Sequence, residues 1–136
     1  MKIFKKILKI LGIISLVLLI GLYSLFYWAT SPKSNEQVVE TFSELGVVSE
    51  ITNETYKDFT YRKVPISKDT PLPTIVFVHG TIGSVLDFSG YMTDSLLLTK
   101  ANMISYDRIG YNYKDQNDVQ ESIAFERDLL EDLVKD

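Results

Sequence analysis

His79 is the chain's one histidine, and it closes an apolar run rich in β-branched residues, residues 74–78. Gly80, Thr81, Ile82, Gly83 and Ser84 follow it directly. Imidazole titrates near neutrality, so a histidine at a strand end is a first candidate for proton transfer. Gly80 and Gly83 allow a sharp loop, because glycine tolerates backbone angles that other residues avoid. Amides of such a loop, just ahead of a helix, can face an anion or a developing oxyanion. The same residues also suit a plain strand-to-helix turn whose imidazole bonds locally. A second cluster, Asp107, Arg108 and Gly110 in "ISYDRIGYN", closes the next short apolar run.

Other chemistries lack their residues. The chain has no cysteine, which excludes disulfides, thiolate metal sites and cysteine nucleophiles. "DLLEDLVKD" is acidic but lacks the spacing of a calcium loop, and neither a metal nor a cofactor is expected. Asn53-Glu54-Thr55 fits a glycosylation pattern and is expected to be a surface turn.

Charge divides the chain. Lys2, Lys5, Lys6 and Lys9 precede residues 10–29, "ILGIISLVLLIGLYSLFYWA", which hold no charge. A run of about 20 apolar residues matches a helix across a hydrocarbon core. Lysines before the span predict a cytoplasmic N-terminus, with the remainder on the far side. Tyr23, Tyr27 and Trp28 fall at the outer interface. A cleaved signal peptide is the rival, but this run is long for one, and Tyr27 occupies a position where cleavage wants a small residue. Residues 31–136 hold 10 basic and 18 acidic side chains, a net of −8, which argues against nucleic acid as a partner.

The chain therefore divides into a basic segment (1–9), a transmembrane helix (10–29), a juxtamembrane linker with a short helix (30–55) and a domain (56–136). In the linker, Ser34 and Gln37 form a capping box. They open a helix that ends at Gly46 and docks a face of Val38, Val39, Phe42 and Leu45 on the domain. Residues 56–66 alternate as one strand, with Pro65 marking its end or an edge. Residues 74–78 read as a strand buried on both faces. Ser84 and Asp87 cap a helix from about Val85 to Thr99. Residues 102–107 form a further strand, and residues 119–136 an amphipathic helix with Val119, Ile123, Leu130 and Val134 on its apolar face. Alternating strands and helices predict an α/β domain with parallel pairing. So few strands leave an apolar edge exposed.

His79-Gly80-x-x-Gly83-Ser84 after one strand and Asp107-Arg108-x-Gly110 after the next resemble the α/β-hydrolase superfamily over residues 56–136. The resemblance implies the first part of that family's sheet, parallel or mixed strands flanked by helices. It implies a serine-type esterase or lipase-like acyl transfer on a small ester or amide substrate. Thr81 would give its backbone N–H to the oxyanion hole, and His79, Gly80 and Gly83 would shape that loop. Asp107, Arg108 and Gly110 would shape the turn at the pocket floor. The chain departs from the pattern at Asn112 and Lys114, where the family often has glycine and serine. It also lacks the G-x-S-x-G elbow, the nucleophile and the second histidine that would serve as base. Ser84 and Ser89 lack the elbow's flanking glycines and are expected to be a helix cap and a helix-surface residue. Asp87, Asp94 and Asp107 are expected to be cap, solvated surface or turn. The 136-residue chain alone is accordingly expected to be inactive. The alternative class is a non-enzymatic anchored scaffold or an inactive truncated remnant.

Overall fold

A computed structural model describes residues 2–66, 71–111, 119–120 and 122–135. It divides into two compact units, Met1–Ser31 and Pro32–Asp136, each taken by itself.

The first unit is one helix, α1 (Lys2–Thr30), whose most apolar 18-residue window has a mean hydropathy of 2.4, with none of that window buried. It is long and apolar enough to cross a membrane. Helix begins well before residue 10, since Lys, Ile, Leu and Phe between the lysines sustain it. Two of its hydroxyls bond back along the helix: Ser24 and Thr30 donate to the Ile20 and Phe26 carbonyls, each at 2.9 Å.

The second unit is built on a mixed sheet of four strands in the order β1-β2-β4-β3. These are β1 (Thr52–Tyr56), β2 (Phe59–Ile66), β3 (Thr74–Val78) and β4 (Asn102–Tyr106). β2 runs antiparallel to β1 and β4, and β3 runs parallel to β4. The α/β expectation is met at that level, with two differences. Residues 56–66 are not one strand, because Lys57 takes φ 54° and turns the chain into a hairpin. Asn53-Glu54-Thr55 accordingly lies within β1 and not in a turn. Pro65 pairs with Ile104 beyond the last β1 partner, Thr52 opposite Lys63, so its missing N–H meets no β1 neighbour.

Helix α2 (Asn35–Glu44) follows the predicted capping box, with Ser34 and Gln37 both engaged, and ends at Gly46, φ 81°. It docks through Val38 and Phe42, whereas Val39 and Leu45 are exposed. Val64, Ile66, Val85, Met92 and Met103 complete this cluster. Tyr61, Tyr106, Ile109, Leu129 and Leu133 form a second. Strand alternation sorts side chains between them: Met103 goes to the first, Tyr106 to the second.

The predicted helix from Val85 to Thr99 is instead a 3₁₀ turn Val85–Phe88, a short α3 (Ser89–Met92) and a 3₁₀ turn Leu97–Thr99. Asp94 breaks it, because its carboxylate accepts the Leu96 and Leu97 N–H groups and starts a fresh turn. Helix α4 (Ile123–Leu133) is capped by Ser122, whose side chain accepts the Phe125 N–H. It buries Leu129 and Leu133 and rests Phe125 edge-on against Tyr56 and Phe59. Of the apolar face read from the sequence, Leu130 packs against the second cluster, while Ile123 and Val134 are 88% and 53% exposed. β3 is likewise not buried on both faces: Ile75 and Val78 are exposed, since β3 ends the sheet.

The docking of α2 is testable. Phe42→Ala removes a fully buried ring and should cost about 3–5 kcal/mol in urea melts of the micelle-bound chain. Val39→Ala should change little, and equal losses at the two positions would contradict the docked face.

Candidate functional site

β3 and β4 run parallel, so their C-terminal ends open on the same side of the sheet. Open α/β sheets bind ligands outside such ends. His79 follows β3 and Asp107 follows β4, and the two segments lock together.

His79 is 2% exposed. Its Nε2 accepts the Arg108 backbone N–H at 3.0 Å. That leaves Nδ1 to carry the proton and donate to the Gly80 carbonyl at 2.8 Å. Both ring nitrogens are engaged in holding the loop. Tyr111 lies edge-on to the imidazole with ring centres 5.4 Å apart, and the Arg108 guanidinium lies over the Tyr111 ring at 5.5 Å.

Asp107 holds the far end of the loop. Its Oδ1 accepts the Val85 N–H at 2.9 Å, and Ser105 Oγ donates to the Val85 carbonyl at 3.0 Å. Its Oδ2 meets Arg62 Nε at 2.7 Å and Nη2 at 2.6 Å, with both side chains fully buried. Arg62 Nη1 donates onward to the Lys33 carbonyl at 2.7 Å. Burial pushes the Asp107 carboxyl above its ordinary value, while the Arg62 guanidinium and the Val85 N–H each pull it back. Asp107 is thus neither solvated nor a plain turn residue. It is the buried partner of an ion pair.

Between the pinned ends the loop presents backbone. Among the described residues the Thr81 and Ile82 N–H groups have no acceptor, and Thr81 is exposed. Ile82 takes φ 65° and is 70% exposed, an uncommon conformation for a β-branched residue. The left-handed residue is therefore Ile82, not Gly80 or Gly83. Gly83 is needed for space. A Cβ there would stand 2.4 Å from Asp87 Oδ2 and 2.8 Å from His79 Cβ. Ser84 and Asp87 form the expected cap: Ser84 Oγ accepts the Leu86 N–H and Asp87 Oδ1 the Ser84 N–H, each at 3.2 Å.

Gly110 takes φ 87°, a turn that only glycine adopts freely. Arg108 pairs with Glu126 at 3.4 Å, and Tyr106 donates a hydrogen bond to the other Glu126 oxygen. Burial first, then Glu126, push the Tyr106 phenol upward, so it stays a donor. Asn112 and Lys114 lie outside the described residues. Among the described residues no cluster of His, Asp or Glu gathers to hold a metal.

The structure brings together His79, Gly80, Thr81, Gly83, Asp107, Arg108 and Gly110. It adds Arg62, Tyr106 and Glu126, which the motifs do not mention. Arg62 had one signal in the sequence: it shares strand parity with Val64 and Ile66, hence the core-facing side. Comparisons with family models, with curated proteins and with solved structures return no match to this chain.

Asp107→Ala would leave the buried Arg62 guanidinium without its carboxylate and should cost about 3–5 kcal/mol of stability. Combining it with Arg62→Met should cost clearly less than the two single losses together. Additive losses in urea melts would show that the pair is not coupled.

Proposed function

We propose that this chain is the membrane-anchored portion of a serine-type hydrolase of the α/β-hydrolase superfamily, carrying half of an oxyanion hole. The observation that supports the reading most is the loop from His79 to Val85. It is tied at both ends to the residues after the neighbouring parallel strand, and it leaves the Thr81 N–H exposed and unpaired among the described residues. A preorganised N–H of that kind stabilises the charge that develops on a carbonyl oxygen during acyl transfer. In this reading His79, Gly80 and Gly83 shape the loop, and Asp107, Arg108 and Gly110 form the turn that braces it. The nucleophile, its following N–H and the base come from polypeptide other than these 136 residues, since the only histidine is committed to the loop. The substrate is an ester or amide-type small molecule.

The anchor is α1. Its four lysines at the start favour a cytoplasmic N-terminus, which in this reading leaves Pro32–Asp136 on the opposite side of the bilayer. The chain should resist alkaline extraction from membranes. Protease added to the non-cytoplasmic side should digest the domain and spare Lys2 to Lys9. A soluble form beginning near Thr30 would overturn the anchor.

The catalytic reading predicts that the reconstituted 136-residue chain alone shows no turnover of p-nitrophenyl acetate. Turnover that disappears on replacing one of its serines would sink that expectation. In the assembled hydrolase, Thr81→Pro deletes the N–H and should lower kcat by about 10²–10³. Thr81→Ala keeps the N–H and should leave kcat within a few-fold. Equal effects of the two substitutions would remove Thr81 from the oxyanion hole.

A further inference from the structure

Val85 ends the loop and is held in three ways. Its N–H donates to Asp107 Oδ1 at 2.9 Å, and its carbonyl accepts Ser105 Oγ at 3.0 Å. Its fully buried side chain packs in the cluster that Val38 and Phe42 of α2 help to build. Two of these holds lead back to one short piece of chain. Asp107 is gripped by Nε and Nη2 of Arg62, whose Nη1 donates to the Lys33 carbonyl at 2.7 Å and to Asn35 Oδ1 at 3.4 Å. Val38 and Phe42 belong to the helix that Asn35 begins. Residues 32–35 are thus joined to Val85 by a polar route and by an apolar one.

The place of that piece in the chain gives the joint a use. α1 ends at Thr30 and α2 begins at Asn35, so residues 31–34 are the covalent route from the long apolar helix to the domain. A guanidinium presents its donors in a rigid planar fork, so what one edge meets sets the angle of the other. Movement of the Lys33 carbonyl or of Asn35 therefore turns the edge that faces Asp107, and with it the acceptor of the Val85 N–H. The loop is built to register such a turn. Ile82 sits at φ 65°, and a residue in that region stays there only while its surroundings over-determine it.

We propose that residues 32–35 are a strap that positions the loop from the α1 side. Docked on Arg62, the strap keeps Val85 and the left-handed Ile82 in place. Lifted from Arg62, it lets the loop relax while the sheet persists. This inference stands apart from the hydrolase reading, since it concerns what holds the loop and not what the loop serves.

The test uses the full chain in neutral detergent micelles, with single backbone amides read by NMR. Asn35→Lys sets a cation against Arg62 Nη1 and pushes the strap off, whereas Asn35→Asp offers that edge a carboxylate. Ser43→Lys adds the same charge as Asn35→Lys on an exposed turn of α2. Asn35→Lys should speed hydrogen exchange of the Val85 amide by about tenfold or more, with the β2–β4 ladder amides within about twofold. The Ile82 N–H order parameter should fall from about 0.85 to below about 0.6. Asn35→Asp and Ser43→Lys should not speed Val85 by more than about twofold. Asn35→Ala is the milder cut and should speed Val85 by about fivefold, which decides the matter if the lysine variant does not fold. A role in the fold as a whole would move ladder and loop together. The proposal is therefore overturned if, in whichever Asn35 variant folds, the ladder accelerates as much as Val85 or Val85 keeps its wild-type rate. It is also overturned if Ser43→Lys does as much as Asn35→Lys.

Discussion

Arg62 and Asp107 face each other inside the domain with no exposure, and the arrangement around them follows from what such a pair demands. Removing two charges from water costs several kcal/mol for each, and attraction repays it only where the remaining donors and acceptors are also met. Arg62 spends Nε and Nη2 on Asp107 and Nη1 on the Lys33 carbonyl, while the second Asp107 oxygen takes the Val85 N–H. Four parts of the chain therefore converge: the segment before α2, the middle of β2, the end of β4 and the start of the 3₁₀ turn. An apolar pair of equal volume could match this in stability. It could not fix the direction of the Val85 N–H.

That direction matters because the neighbouring residue does the complementary work. Asp107 secures the downstream end of the loop through its side chain, and Arg108 secures the upstream end through its backbone N–H on His79. Two consecutive residues thus set the span that residues 80–84 must cross. The crossing is tight enough to put Ile82 at φ 65° and to leave no room for a side chain at Gly83. A β-branched residue in that region costs on the order of 1–2 kcal/mol, and Ile82 is largely exposed. Strain without local compensation is sustained by the anchors, and a loop so held presents the Thr81 N–H in one orientation. Donors fixed before charge develops need no reorganisation when it does.

The motifs were legible in the sequence because they are local. Ser34 with Gln37 and Ser84 with Asp87 act over three residues, and both caps form as read. The sequence also announced the strand ends at His79 and Asp107, where apolar runs stop. What it concealed depends on the far partner. Residues 56–66 alternate well enough to pass for one strand, and only the left-handed Lys57 divides them. The cap at Ser84 and Asp87 announces a helix over residues 85–99, but Asp94 can satisfy two backbone N–H groups itself, so the helix does not continue. In α4 two stripes compete at the same period. Phe125, Leu129 and Leu133 win because aromatic rings from β1 and β2 wait for Phe125. Asp107 looked like any polar residue at a strand end, since its partner Arg62 stands 45 residues earlier.

α4 ties the outer face of the domain to the loop. Its inward stripe fills the second apolar cluster, and Glu126, one turn from its start, receives both Tyr106 and Arg108. Arg108 is the residue whose N–H holds His79, so the position of α4 bears on the loop through a single side chain. The outward stripe of the same helix lines an apolar groove beside β3. The apolar edge of β3 and the loop at its C-terminal end are therefore connected twice, through the strand itself and through α4.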